Sequence, residues 1–92
     1  MKKNCHLEHG DAYGFMATMP ERSVDLVLTD PPYGTSYAEW DRDFDVERFW
    51  TLCERVLRPG GAVVLTASQP FTSLVVTSKL PWFRCAWVWD KT

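Results

Sequence analysis

The sequence predicts an α/β fold in which helices flank a mostly parallel sheet. Residues 24–29 form an apolar, β-branched run, which is the composition of a strand covered on both faces. Residues 46–57 repeat apolar side chains at three- and four-residue spacing, which indicates a helix. A second apolar run at 62–66 follows a short turn, so the two strands and the helix between them predict a right-handed parallel crossover.

Two short elements are expected before the first of these strands. Residues 5–8 are a candidate strand that Gly10 and Asp11 close. Asp11 can also cap a helix over 12–19, because its carboxylate can accept hydrogen bonds from the free amides of a first turn. Pro20 ends that helix.

The long helix has clear sequence boundaries. Asp45 is a suitable N-cap, and Glu47 favours the positive end of the helix dipole. Phe49 and Trp50 lie on the apolar stripe, so we expect them in the core. The segment 59–61, Pro-Gly-Gly, is expected to terminate the helix and turn the chain.

The last third of the chain predicts one more helix and one more strand. The helix spans 71–79, and Pro81 ends it. The strand spans 83–89 and places Trp87 and Trp89 on one face.

Length and charge narrow the class of protein. The length allows a single domain, residues 1–92, whose core would be small. No apolar run approaches the roughly 20 residues of a membrane span, and polar residues follow Met1 where a signal peptide would be apolar. We therefore expect an intracellular, cytoplasmic protein. The net charge of -2 gives no general attraction to nucleic acid, so any contact with DNA needs a local site.

The cysteines predict neither a disulfide scaffold nor a zinc ribbon. Cys5, Cys53 and Cys85 are odd in number and far apart. His6 and His9 stand near Cys5, but no fourth ligand for a tetrahedral site follows nearby. We expect no metal.

Two polar segments follow predicted strands, where ligands bind in open α/β sheets. In the first, Asp30 offers a carboxylate acceptor, Pro31 and Pro32 hold a stiff backbone with outward carbonyl groups, and Tyr33 adds an aromatic face. This combination suits a planar ligand with an amino group. The same residue types also make an ordinary strand-ending turn, and both interpretations stay open on these residues alone.

The second segment follows the next strand. Its residues are Ser68, Gln69, Pro70 and Phe71.

The first segment resembles a known catalytic motif. Residues 23–34, SVDLVLTDPPYG, are similar to the catalytic segment of the amino-group DNA methyltransferases, which methylate adenine N6 or cytosine N4. The segments Gly10-Asp11, LRPGG at 57–61, SQPF at 68–71 and WVWDK at 87–91 resemble further parts of bacterial and phage members. The resemblance implies a partial Rossmann-like methyltransferase fold, S-adenosylmethionine as methyl donor, DNA as partner and no metal.

The resemblance also implies roles for individual residues. Asp30 and the Pro31 carbonyl would accept hydrogen bonds from the target amine, Pro32 would stiffen the turn, and Tyr33 would stack on the flipped base. Asp11 and Asp30 would contact the cofactor. Ser68, Gln69, Pro70 and Phe71 would contribute to substrate binding. Because the amine attacks the methyl group directly, the cysteines have no required part.

Part of the family pattern is missing. No Gly-x-Gly turn for the cofactor occurs among the 5 glycines. We therefore expect the N-terminal part of a member whose catalytic motif precedes its cofactor motif, inactive without a complementary chain or a C-terminal half. Adenine N6 is the favoured target. The alternatives are a cytosine N4 enzyme, an RNA or protein-amide methyltransferase, and an inactive remnant; the recognition sequence and any restriction partner stay open.

Overall fold

The computed structural model describes residues 5–32, 44–88 and 90. Two parallel strands pair through one crossover helix, which confirms the α/β class and the predicted parallel unit. The elements in chain order are α1 (Ala12–Thr18), β1 (Val24–Thr29), α2 (Val46–Val56), β2 (Leu57–Leu65), α3 (Phe71–Ser78) and a 3-10 turn (Leu80–Trp82).

The predicted caps of the first two helices are confirmed. The Asp11 carboxylate accepts a hydrogen bond from the Tyr13 amide at 3.1 Å. The Asp45 carboxylate accepts one from the Arg48 amide at 3.0 Å. Glu47 lies in the first turn of α2, where its charge complements the helix dipole.

The Pro-Gly-Gly segment was predicted to separate α2 from the next strand, and this is wrong. Leu57 is both the C-cap of α2 and the first residue of β2. Leu57 pairs with Val24 and Ala62 pairs with Leu26, so four residues of β2 oppose one residue of β1. The turn is therefore a bulge within the paired strand. Gly60 supplies a φ of 83°, which side chains other than glycine's disfavour.

The core lies between α2 and one face of the sheet. Phe49 is 3% exposed and Cys53 is fully buried. Its other members are Leu52, Val56, Leu57, Phe71 and Val75. The prediction that Phe49 is a core residue is confirmed, and Trp50 is half-buried with its indole Nε1–H donating to the Ser78 hydroxyl of α3 at 2.8 Å.

One arginine joins the C-terminal ends of α1 and α2. Arg55 donates from Nη1 to the backbone oxygen of Met19 at 2.6 Å and to that of Met16 at 3.3 Å. The Met16 carbonyl also accepts from the Met19 amide, whereas the Met19 carbonyl lies just past α1, where a helix leaves acceptors without partners of its own. Arg55, a residue of α2, therefore supplies hydrogen-bond donors to the backbone acceptors at the end of α1.

Two predicted strands are not formed. Residues 5–8 and 83–88 carry no strand pairing in the described part of the chain, and Trp87 is 92% exposed. Their composition suits a strand, but a strand also needs a partner edge, which composition alone cannot supply. Trp89 and the predicted loop over 35–43 lie outside the described residues.

Within the part of the chain that the structure describes, no helix combines the length and apolar character that crossing a bilayer requires.

Candidate functional site

A cavity of about 570 Å³ opens where β1 ends. The N-terminal ends of α1 and α2 form its other sides, because the two caps, Asp11 and Asp45, both line it. Other residues of its wall are Tyr13, Thr29, Asp30, Pro31, Pro32, Phe44, Arg48 and Phe49. The carboxyl end of a strand is the position at which the sequence predicts a ligand site.

Asp30 follows β1 directly and is held by the neighbouring strand. The Thr66 hydroxyl, one residue beyond β2, donates a hydrogen bond to Asp30 Oδ1. The Thr66 amide donates to the Thr29 carbonyl at 3.2 Å, which continues the parallel pairing past the end of the strand. The carboxylate at the cavity therefore has a defined contact with β2.

The two prolines give the cavity a stiff rim. Pro31 is buried and Pro32 is half-buried, and both line the cavity beside Asp30. Neither has an amide hydrogen, so this stretch of backbone offers acceptors only. Tyr33, the fourth residue of the predicted motif, lies outside the described residues.

Asp11 lies on the same cavity as Asp30, although 19 positions separate them in sequence. The structure thus brings together the two residues that the resemblance assigns to the cofactor. The Asp11 carboxylate also caps α1, as a purely structural interpretation requires. Capping uses Oδ1 and leaves the side chain on the cavity wall.

Three aromatic residues that the sequence analysis did not assign to a site form another side of the cavity. Tyr13, Phe44 and Phe49 lie with ring centroids 5.4 to 6.4 Å apart. The Tyr13 hydroxyl donates to the Asp45 carbonyl at 2.9 Å. Burial, with a smaller effect from the charge of Asp45, raises the pKa of Tyr13 to about 12, so its hydroxyl stays protonated at neutral pH.

The charges of the cavity wall are mostly negative. Asp11, Asp30 and Asp45 contribute carboxylates, and Arg48 contributes a guanidinium whose carbon lies 5.2 Å from the Tyr13 ring centroid. Carboxylates accept hydrogen bonds from amino groups and favour cationic ligands, while the aromatic side suits a planar ring. The sequence analysis did not assign Tyr13 or Arg48 to a site. Their positions in the first turns of α1 and α2, after the predicted caps, are the sequence signal that could have located them.

The second predicted segment lies elsewhere, because none of its four residues belongs to the described wall of the cavity. Gln69 Oε1 accepts hydrogen bonds from the Ser73 amide at 3.2 Å and the Ser73 hydroxyl at 2.9 Å, so Gln69 caps α3. Pro70 stands at the N-cap position of α3, and the Ser68 carbonyl accepts from the Thr72 amide at 3.0 Å. Phe71 is buried, with its ring 5.6 Å from that of Phe44.

Among the described residues, no group of three or more His, Cys, Asp or Glu side chains is placed to hold a metal ion. The His6 ring stacks on Phe15 at 5.7 Å and lies 3.6 Å from the Glu8 carboxylate. Burial raises the pKa of the Cys53 thiol to about 12, which keeps it uncharged and unreactive at neutral pH.

Comparison with known proteins gives relatives by sequence. No family model matches the chain, and no solved structure matches it. The DNA adenine methyltransferase YhdJ of Escherichia coli (strain K12) is 29% identical in an alignment 92 positions long, gaps included, that covers 80% of this chain and 31% of the relative. The Type II methyltransferase M.BglII of Bacillus subtilis is 32% identical in an alignment 66 positions long, gaps included, that covers 60% of this chain and 17% of the relative.

Both relatives are methyltransferases, and the chain spans a third or less of the length of either. The resemblance that residues 23–34 carry is thereby confirmed. The chain is therefore similar in sequence to one part of methyltransferases, one of which is named a DNA adenine methyltransferase.

Proposed function

We propose that the protein carrying this sequence methylates the exocyclic amino group of a base in DNA, with adenine N6 as the target. Its α/β unit would be the catalytic-motif part of a Rossmann-like methyltransferase fold. One observation carries the proposal: Asp30, Pro31 and Pro32 follow the parallel strand β1 and line a cavity that Asp11 also lines. The kinship with two methyltransferases supports it.

The chemistry follows from the acceptors at the end of β1. An exocyclic amine is a poor nucleophile because its lone pair is delocalised into the ring. The Asp30 carboxylate and the Pro31 carbonyl would accept hydrogen bonds from its two N–H groups, which favours a pyramidal nitrogen with an available lone pair. The carboxylate would also stabilise the positive charge that develops on nitrogen as its bond to the methyl carbon forms and the sulfonium S–C bond breaks to leave a neutral thioether. The methylated nitrogen would then lose one proton.

The target base has to leave the duplex to reach these acceptors. Inside the stack its amino group is paired and enclosed, so base extrusion precedes the chemistry. Tyr33 would stack on the extruded base, as the resemblance implies. The acidic cavity repels phosphate, so the DNA backbone would be held by other residues of the protein.

The size and the lining of the cavity support S-adenosylmethionine as the methyl donor. Its volume of about 570 Å³ lies within the range of small-molecule sites. When bound, S-adenosylmethionine supplies an electrophilic methyl group on a sulfonium centre. Asp11 and Asp30 would hold this cationic molecule through their carboxylates, and the ring of Tyr13 suits its adenine.

Adenine is favoured over cytosine because Asp stands at the first position of the turn, which resembles adenine N6 enzymes. One relative is named a DNA adenine methyltransferase. Mass spectrometry of nucleosides from treated DNA distinguishes the alternatives. N6-methyladenine supports the proposal, N4-methylcytosine alone would reassign the base, and methyl transfer only to RNA or a protein amide would reassign the substrate.

The 92 residues by themselves are proposed to bind the methyl donor weakly and to need a complementary segment for activity. The described sheet has two strands, and the relatives are about three or more times longer than the matched stretch. Calorimetric titration of the purified chain with S-adenosylmethionine tests this. A saturable one-to-one isotherm in the micromolar range would contradict it.

The central experiment replaces Asp30 in the longest natural polypeptide that contains this sequence. Asp30→Ala should lower the methylation rate by roughly 100- to 1000-fold, because an acceptor for the amine is lost. Asp25→Ala is the matched control, since it removes an exposed carboxylate from the same strand. Near-normal methylation by a folded Asp30→Ala protein would remove Asp30 from the mechanism.

A further inference from the structure

We propose that Thr66 is a positioning residue for Asp30. Its hydroxyl would hold the carboxylate in the orientation that accepts a hydrogen bond from the target amine. This inference rests on the proposed function, and it adds a residue that neither the motif nor the resemblance assigns. Thr66 is absent from the described wall of the cavity, so it would act through Asp30 rather than on the substrate.

The parallel register places the two residues side by side. Thr29 pairs with Leu65, and these residues end β1 and β2. The residue that follows β1 is Asp30 and the residue that follows β2 is Thr66, so the two are neighbours across the sheet. The hydrogen bond from the Thr66 amide to the Thr29 carbonyl, 3.2 Å, keeps the strands aligned at this point.

The side-chain contact is directional. Thr66 Oγ1 donates to Asp30 Oδ1, one of the two carboxylate oxygens. The last torsion of an aspartate side chain is broad, so a hydrogen bond to one of the two oxygens restricts it. Threonine is β-branched and restricted at its first torsion, so its hydroxyl is a donor with a fixed direction. A donor on Oδ1 therefore determines where Oδ2 points.

The surrounding charges make this donor more significant. Asp11 and Asp45 share the cavity with Asp30 and repel its negative charge, while Arg48 is the cation of the described wall. A hydrogen bond from the Thr66 hydroxyl supports the charged form of the Asp30 carboxylate. Hydrogen bonds to charged groups are stronger than those between neutral groups.

The test compares three variants in the active polypeptide by single-turnover methylation. Thr66→Val keeps the shape and removes the hydroxyl, and it should lower the rate tenfold or more while leaving the KM values for DNA and S-adenosylmethionine unchanged. Thr66→Ser restores a hydroxyl and should recover the rate to within about threefold of the original. Thr77→Val is the matched control, because the Thr77 hydroxyl donates within α3 to the Ser73 carbonyl, away from the cavity.

The outcomes separate this inference from the proposed function. Absence of methylation by the folded original protein would overturn the proposed function itself. Methylation that depends on Asp30 but is unaffected by Thr66→Val would overturn the inference alone, as would a Thr66→Ser variant as slow as Thr66→Val. If Thr66→Val lowers the melting temperature, Thr66→Ala and Thr66→Ser make the same comparison, with Ser expected to be the faster.

Discussion

The two faces of the two-stranded sheet differ sharply in how far their side chains are buried. On one face Val27, Val63 and Leu65 pack against the cluster of Phe49, Cys53 and Leu57. On the other face the side chains are open, with Leu26 50% exposed, Leu28 68% and Val64 48%. Both faces have the same apolar composition, so composition does not distinguish them.

The difference shows what an apolar strand can and cannot predict. The sequence of β1 predicts cover on both faces, and the described structure provides it on one. Cover on that face comes from the stripe of α2, which the three- and four-residue spacing did predict. An apolar face indicates that burial is favourable, but the element that buries it has to be identified separately.

The sharpest test removes the centre of the covered side. Phe49→Ala should lower the free energy of unfolding by about 3–5 kcal/mol, because a buried ring is lost and the cavity left behind refills only in part. Urea denaturation followed by circular dichroism measures this. A loss below about 1 kcal/mol would show that α2 does not organise the core.

The buried thiol of Cys53 and the exposed thiol of Cys85 test the contrast between covered and open regions through the pH dependence of stability. The pKa of Cys53 rises from an ordinary 9.0 to about 12 on burial, so between these values the unfolded chain releases a proton that the folded chain keeps. The free energy of unfolding should therefore fall as pH rises above about 9. Denaturation at several alkaline pH values should show a weaker fall in Cys53→Ala.

Tyr13 adds to this fall at the upper end, since its pKa is also raised to about 12. Cys85→Ala is the control, because Cys85 is exposed. An identical pH profile for Cys53→Ala and the original protein would contradict the burial of Cys53.

Neighbouring positions on β1 compare the faces directly. Val27→Ala should cost about 1 kcal/mol, since two half-buried methyl groups leave the core side. Leu28→Ala, one residue later on the open face, should change the free energy of unfolding by less than about 0.5 kcal/mol. Equal losses at the two positions would mean that something covers the open face in solution.

The smallest effect is expected from the exposed ion pair beside the bulge. Arg58 Nη1 lies 2.9 Å from Asp25 Oδ1, and the two side chains are 53% and 79% exposed. Asp25→Asn should cost about 0.2–1 kcal/mol at low salt. The difference from the original protein should disappear in denaturation experiments at high ionic strength, because exposed charges are screened.

Local signals predicted the local structure well. Residues 24–29 became β1 with the predicted bounds, and the caps at Asp11 and Asp45 formed as the helix rules require. The predicted strands at 5–8 and 83–89 did not form within the described residues, because pairing depends on a partner elsewhere in the chain. The sequence could not show that neither segment finds a partner among the residues that the structure describes.

The candidate site divides in the same way. The sequence predicted Asp30, Pro31 and Pro32 at a strand end because two prolines after an apolar run cannot continue a strand. The position of Asp11 beside them depends on how α1 packs, and the contact of Thr66 with Asp30 depends on register. Gln69 and Phe71 also follow a predicted strand, but Gln69 caps α3 and Phe71 is buried. A position after a strand does not by itself distinguish these structural roles from ligand binding.

The arginine at the far end of the helices gives the cavity a mechanical property. Asp11 and Asp45 stand on its two sides, at the first residues of helices whose last turns Arg55 ties together. The 7 residues of α1 place that tie about 10 Å from the opening. The Tyr13 hydroxyl donates to the Asp45 carbonyl beside the opening, so α1 and α2 are joined at both ends. The gap between the two carboxylates is therefore set by two fixed points of the fold.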